Sequence, residues 1–140
     1  MSPDSITDIK WTYSKMLKEL PAESRYELRN NELIDMSSPS EIHQQIVFRL
    51  TLIIGSFIVN NKLGKFYTSP LDVIFDEGTV MQPDLIFVAE DHKSIIKEKG
   101  IFGAPDVLIE IVSKSSIQRD YIDKKQDYER FGVQEYWIVD

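Results

Sequence analysis

Residues 107–112 read Val-Leu-Ile-Glu-Ile-Val, the most apolar of the predicted strands. An apolar run of this length without polar alternation is typical of a strand covered on both faces, so we predict a strand over residues 106–113. Its single charge is Glu110. An unpaired carboxylate inside such a strand would be costly, which makes Glu110 the first candidate for a functional residue.

Helical spacing of apolar residues predicts a helix before this strand and another after it. The first spans residues 42–58, follows Ser40 as its N-cap and is expected to end at Gly64. The second spans residues 117–131 and is closed by Gly132. The remaining predicted elements are strands at 65–69, 71–75, 79–89 and 135–139, a short polar helix at 91–99 and a loop at 100–105.

The N-terminal part adds a short amphipathic helix at residues 12–20 and a hairpin. The hairpin strands, residues 25–29 and 32–36, flank Asn30 and Asn31, a pair that tolerates positive φ. The predicted core order is therefore helix, three strands, helix, strand, preceded by a helix and a β-hairpin. This order predicts a mixed α/β sandwich that occupies residues 1–140 as a single domain.

Composition excludes several classes of site. The chain has 140 residues and no cysteine, which rules out disulfide frameworks, cysteine nucleophiles, thiolate zinc sites and iron–sulfur clusters. The longest apolar stretch, residues 46–59, is shorter than a bilayer span, and the first ten residues lack a signal peptide's apolar run, so we expect a cytoplasmic protein without membrane contact. A net charge of −7 weighs against holding nucleic acid only through Lys and Arg, but a carboxylate metal site is itself acidic.

A second acid is expected near Glu110. Asp84 follows Pro83 at the entrance of the apolar segment 85–89, and because neighbouring strands lie about 4.8 Å apart, the two carboxylates are close if their strands pair. Such a pair binds a cation or has a raised pKa. Asp106 is the rival, but roughly 13 Å of strand separates it from Glu110, so we assign it to capping the strand. Strand-end acids satisfied by backbone donors or by Arg and Lys are the alternative interpretation.

Lys124 is a candidate cation for the same region. It belongs to a stripe spaced by four, three, four and three residues that is expected to face the sheet: Ile117, Tyr121, Lys124, Tyr128 and Phe131. Lys125 lies off this stripe. The alternative is a lysine that covers apolar surface or pairs with Asp120.

Histidine gives a weaker signal. His43 follows the Ser40 cap, and it lies beside the hairpin acid Glu27 only if the fold brings the two together. A structural role is the alternative for a lone histidine near a helix start. Because the second histidine, His92, falls in a polar segment far along the chain, the two make no zinc motif.

Several short motifs, taken together, resemble the family usually labelled Uma-two. They are Tyr26-Glu27-Leu28, His43, Gln82-Pro83-Asp84-Leu85, the segment 104–113, Asp120, Lys124, Tyr128, Gly132-Val133 and the segment 135–140. None is specific alone, but jointly they are, and they cover nearly the whole chain. The family is grouped with the restriction-endonuclease-like PD-(D/E)XK nucleases, whose core has the same order of helix, three strands, helix and strand.

The resemblance implies an endonuclease that uses Mg²⁺ or Mn²⁺ to hydrolyse nucleic-acid phosphodiester bonds, with DNA as the expected substrate. It makes Asp84 and Glu110 the metal ligands, and it places Glu27 and His43 in the same catalytic pocket. The superfamily lysine normally stands two residues after the strand acid, where this chain has Val112, so Lys124 is expected to supply the amine. A catalytically silent nuclease-fold module for binding or assembly is the alternative.

The end of the chain also departs from the family. Members usually continue past the strand at 135–139 into further strands, which we expect this chain to lack. The last strand would then leave an open, apolar edge, and this predicts a homodimer.

Overall fold

The structure is a computed structural model that describes residues 10–112 and 117–140, without the side chains of residues 117–121. Helix α1 (Tyr13–Glu19) begins after Thr12, whose hydroxyl accepts a hydrogen bond from the backbone N–H of Lys15. It ends at Glu19, with Leu20 as the C-cap directly before Pro21, as predicted.

The hairpin is also confirmed. Strands β1 (Tyr26–Arg29) and β2 (Glu32–Asp35) pair antiparallel. The turn residues Asn30 and Asn31 have φ values of 51° and 66°, a left-handed region in which asparagine is enriched.

Helix α2 (Glu41–Asn60) begins at the predicted cap, where Ser40 Oγ accepts a hydrogen bond from the backbone N–H of His43 at 3.2 Å. Its segment Thr51–Gly55 is π-helical. The expectation that Gly64 ends the helix is wrong, since the helix ends at Asn60 and Lys62 takes the left-handed turn with a φ of 52°. Gly64 instead begins the next strand, where an added Cβ would lie 2.1 Å from the backbone oxygen of Val88.

One face of α2 packs on a sheet and the other is exposed and apolar. Ile46, Val47, Leu50 and Ile54 contact the sheet core. The outer face, which is 55–71% exposed at each residue, consists of Ile42, Phe48, Leu52, Ile53, Phe57 and Val59. At 20 residues, α2 is longer than the apolar stretch 46–59 and is long and apolar enough, by length and composition, to cross a membrane. The cytoplasmic location stays a prediction. Length and composition do not distinguish a spanning helix from one that packs on a sheet, and this helix packs on a sheet.

The predicted strand at 79–89 is wrong as a single strand. After β3 (Gly64–Thr68) and β4 (Val73–Asp76), the structure has two separate strands, β5 (Thr79–Met81) and β6 (Leu85–Ala89). β5 and β6 lie in different sheets. The chain changes sheet at Pro83, which has no backbone N–H to continue a ladder. Asp84 is thereby placed at the junction between the two sheets.

The segment 91–105 also differs from the prediction. The structure has a 3₁₀ helix (Glu90–Ile95), β7 (Ile96–Lys97) and β8 (Gly100–Phe102) where a polar helix and a loop were expected. The last elements agree closely with the prediction: β9 (Val107–Ile111), α3 (Ile117–Arg130) and β10 (Glu135–Val139).

The strands form two mixed sheets. One has six strands in the order β2-β1-β5-β4-β8-β7, and the other has four in the order β10-β9-β6-β3. The predicted core order of helix, three strands, helix and strand is present as α2, β3, β6, β9, α3 and β10. The mixed α/β fold is therefore confirmed. In β9, Ile109 and Ile111 face α2 while Leu108 packs with Tyr128 of α3. Glu110 alternates with Ile109 and Ile111 and therefore points toward α3.

Candidate active site

Asp84 and Glu110 lie side by side, and each is held by the other's strand. The backbone N–H of Asp84 donates to Glu110 Oε1 at 2.9 Å, and the backbone N–H of Ile111 donates to Asp84 Oδ2 at 2.8 Å. The predicted pairing of their strands is confirmed, with Leu85 opposite Ile109 in an antiparallel ladder. These two hydrogen bonds fix both carboxylates at the junction of the sheets.

Lys124 reaches this pair from α3. Its Nζ donates a short hydrogen bond to Glu110 Oε2 and lies 3.8 Å from Glu27 Oε1. The Lys124 side chain is 14% exposed, so it faces the sheet as the stripe predicted, whereas Lys125 is exposed. The side chains of Ile117, Asp120 and Tyr121, which belong to the same prediction, lie outside the described residues.

Glu27 comes from β1, in the other sheet. Its Oε2 accepts a hydrogen bond from the backbone N–H of Gln82 at 2.8 Å, and the residue is 4% exposed. Arg29, two residues further along β1, pairs with Asp127 of α3 at 3.2 Å. This buried ion pair holds β1 against α3 and places Glu27 beside Lys124.

His43 approaches Asp84 from the first turn of α2. Its Nε2 lies 3.1 Å from Asp84 Oδ2, and its Nδ1 lies 3.0 Å from Gln44 Oε1. The imidazole and the carboxylate are each 19% exposed at the side chain, so this contact forms the open side of the site. All five candidate residues predicted from the sequence are therefore brought together.

Burial dominates the electrostatics of the site. It raises the pKa of Glu110 to about 7, against the favourable charge of Lys124 and in the same direction as the repulsion from Asp84 and Glu27. Burial also raises the pKa of the Tyr128 hydroxyl well above its usual value, and the charges of Glu110 and Glu27 add to this effect. Tyr128 is 1% exposed, and within the described part of the chain its hydroxyl has no hydrogen-bond partner. Burial therefore favours the protonated form of Glu110 more than it would for an exposed carboxyl.

The donor set fits a small, hard divalent cation. Mg²⁺ is usually held by one or two carboxylates and keeps several waters, and Asp84 and Glu110 supply two adjacent carboxylates. Over residues 10–112 and 117–140, no three His, Cys, Asp or Glu side chains converge closely enough to cage an ion. Asp84 and Glu110 are the residues that would hold such an ion, and water would supply its remaining ligands.

Asp106 lies apart from this site and caps the start of β9, as predicted. Its Oδ2 accepts a hydrogen bond from the backbone N–H of Ala89 at 2.6 Å, and its Oδ1 lies 2.7 Å from His92 Nδ1. The acid and His92 are both satisfied by this local pairing.

Two contributions to the site are not visible in the sequence. The Gln82 backbone binds Glu27, and the only hint of it is that Pro83 breaks the strand after Gln82. The charges of Glu110 and Glu27, which belong to other elements, act on the Tyr128 hydroxyl. Helical spacing predicts only the face of α3 on which Tyr128 lies. Contacts between distant segments leave no mark on local periodicity.

Comparison with known proteins bears on the fold and on the family. A crystal structure described as a putative nuclease belonging to DUF820 from Anabaena variabilis has the same fold, with a TM-score of 0.75 and 23% sequence identity over 92% of this chain and 73% of that one. No curated protein matches the chain. The model of the family described as "Uma2: Putative restriction endonuclease" matches residues 12–140, and the chain therefore belongs to the Uma2 family.

Proposed function

We propose that this chain is a metal-dependent endonuclease that hydrolyses phosphodiester bonds of nucleic acid, with DNA as its substrate. The observation that supports this most is the position of Lys124, which is mostly buried and bonded to Glu110 beside Asp84. Two acids and an amine from three different elements converge on one point. A buried ion pair by itself adds little stability, so this convergence favours a chemical role.

Each side chain has a distinct role in this proposal. Asp84 and Glu110 would hold Mg²⁺ or Mn²⁺, which when bound would lower the pKa of a water and neutralise charge on the phosphate. Lys124 places its ammonium near the charge that develops in the pentacovalent transition state. His43 orients Asp84 from α2, and Glu27 orients Lys124 from β1.

A catalytically silent module is the second candidate. Val112 occupies the position where the resemblance leads us to expect the catalytic lysine, and Lys124 must substitute from the next helix. A silent member would bind metal and nucleic acid through the same carboxylates but leave the phosphodiester intact.

We further propose that the protein is a homodimer in which a second copy covers the outer face of α2. The six side chains of that face present on the order of 800 Å², which is the area that one partner contributes to a standard interface. β10 lies at the edge of its sheet, as the sequence predicts, with Trp137 43% and Ile138 37% exposed. It offers a smaller surface than α2, so this proposal moves the dimer contact from β10 to α2.

Cleavage of supercoiled plasmid in Mg²⁺ or Mn²⁺ tests the proposed activity. We expect nicking by the wild-type protein and none by Asp84→Ala purified in parallel. Nicking that persists in Asp84→Ala identifies a contaminant and contradicts the assignment. Metal and DNA binding without cleavage by the wild type, across several substrates, would support the silent module instead.

A further inference from the structure

A second group of ionisable side chains lies in a cavity of about 290 Å³ at the other end of β9 from Glu110. The 3₁₀ helix (Glu90–Ile95) forms one wall, and the turn between α3 and β10 forms another. The cavity adjoins the start of β9, and Glu110 lies roughly 13 Å further along the strand, so the two sites are separate. The polar part of the lining consists of Asp91, His92, Ser94, Asp106 and Gln134.

Asp106 fixes the orientation and the tautomer of His92. The Oδ1 atom of this buried acid lies 2.7 Å from His92 Nδ1, and its Oδ2 accepts a hydrogen bond from the backbone N–H of Ala89 at 2.6 Å. A carboxylate can only accept, so the proton of the first contact is on Nδ1. In the neutral imidazole the lone pair therefore belongs to Nε2. The His92 side chain is 55% exposed, and solutes reach the ring from the solvent.

This arrangement is the one in which histidine usually binds metal ions. A metal-ligating histidine almost always donates its other ring N–H to a carboxylate, a carbonyl or a water. The carboxylate holds the ring in place and makes the ligating nitrogen more basic. Asp106 thus prepares His92 Nε2 as a ligand atom.

The charges around His92 favour a cation over an anion. Asp91 belongs to the same lining, and the described lining residues include no lysine or arginine. Lys93, the basic residue next to His92 in the sequence, pairs with Glu90 at 2.5 Å. Gly132 follows the end of α3, where unsatisfied backbone carbonyls carry partial negative charge. Each of these features attracts a positive ion.

The donor atoms identify the class of cation. Imidazole nitrogen suits Zn²⁺, Ni²⁺ and Cu²⁺, whereas Mg²⁺ prefers oxygen ligands. Zn²⁺ takes histidine nitrogen and carboxylate oxygen at about 2.0–2.2 Å, and water can complete its four-coordinate shell. We propose that His92 Nε2 and the Asp91 carboxylate bind a transition-metal dication such as Zn²⁺ in this cavity, independently of the proposed hydrolysis. Two side-chain ligands agree with the lack of a three-ligand cluster among residues 10–112 and 117–140.

Titration of the protein with Zn²⁺, followed by imidazole ¹⁵N NMR, tests this site. The chain has two histidines, so His43→Gln and His92→Gln assign the ring resonances. Excess Mg²⁺ is present throughout to occupy the oxygen ligands of the carboxylate site. We expect a saturable shift of the His92 Nε2 resonance with Zn²⁺ and no shift of it with Mg²⁺ alone.

Three variants separate the proposed site from an ordinary surface histidine. Asp106→Asn keeps an acceptor for Nδ1 but removes the charge, and losing such an outer partner of a metal-ligating histidine costs about 10–100-fold in affinity. Asp91→Asn removes a ligand at an exposed position and should lose at least as much. Glu98→Gln removes the same charge at an exposed position outside the cavity lining, and it should bind Zn²⁺ as the wild type does.

Two results would overturn the proposal. If Asp91→Asn and Glu98→Gln bind Zn²⁺ equally, the ion reaches only an exposed imidazole and the cavity is not a site. If the His92 Nε2 resonance of the wild type does not shift with Zn²⁺, His92 is not a ligand. Because the readout is His92 itself, both results leave the assignments of Asp84 and Glu110 untouched.

Discussion

Replacing Lys124 by methionine gives the sharpest test of the proposed catalytic amine. The change keeps an unbranched apolar stem but removes the ammonium that contacts Glu110 and lies 3.8 Å from Glu27. Removing one preorganised donor from a transition state costs about 10²–10³-fold in kcat in hydrolases of other kinds. We therefore expect Lys124→Met to lower DNA cleavage by about 10²-fold or more.

The same substitution has a smaller effect on folding. Removing one partner of a buried ion pair costs about 3–5 kcal/mol if the remaining charge stays ionised. Burial already raises the pKa of Glu110 to about 7, so without Lys124 this carboxyl takes up a proton near neutral pH instead of remaining a buried anion. We expect a loss of stability below that range and a folded variant at 25 °C.

The assay compares first-order nicking rates of a supercoiled plasmid in Mn²⁺. Lys125→Met is the matched control, because Lys125 is adjacent in sequence but exposed, and it should nick at nearly the wild-type rate. Thermal melts exclude unfolding as the cause of any loss. Equal losses in the two lysine variants, or wild-type nicking by a folded Lys124→Met, would refute the reasoning.

Three further predictions follow from the geometry. Calorimetric titration should show Mg²⁺ or Mn²⁺ binding to the wild type and much weaker binding to Glu110→Ala; equal affinities would remove the metal site from this position. Sedimentation at micromolar concentration should show a dimer that Ile53→Lys dissociates and Ile138→Lys does not, whereas a wild-type monomer would contradict the proposed interface. In metal-free protein, the raised pKa of Glu110 means that the folded state holds a proton that the unfolded chain releases. The free energy of unfolding should therefore fall as the pH rises from about 4.5 to 7. This fall should be about 1–3 kcal/mol larger in wild type than in Glu110→Gln. Parallel pH profiles of the two proteins would be inconsistent with that proton.

The sequence predicts most of the fold because its main signals are local. The apolar run around Glu110, the Ser40 cap and the Asn30-Asn31 turn each act within a few residues, and each appears in the structure as expected. The errors fall where distant contacts decide the outcome. Gly64 is required by the close approach of another strand's backbone and not by the helix before it.

The candidate site shows the same division. Glu110 could be identified from its own strand, and Asp84 from Pro83 together with the assumption that two apolar strands pair. The contact of His43 with Asp84 could not be predicted, because it depends on how the first turn of α2 sits over the junction of the sheets.

The most direct test of the account is a crystal structure of the wild-type protein grown with Mn²⁺ and analysed by anomalous scattering. We predict one strong anomalous peak within coordination distance of both the Asp84 and Glu110 carboxylates, with water completing the shell. Well-ordered Asp84 and Glu110 side chains without a peak between them, at Mn²⁺ concentrations that support cleavage, would contradict the metal-dependent mechanism at this site.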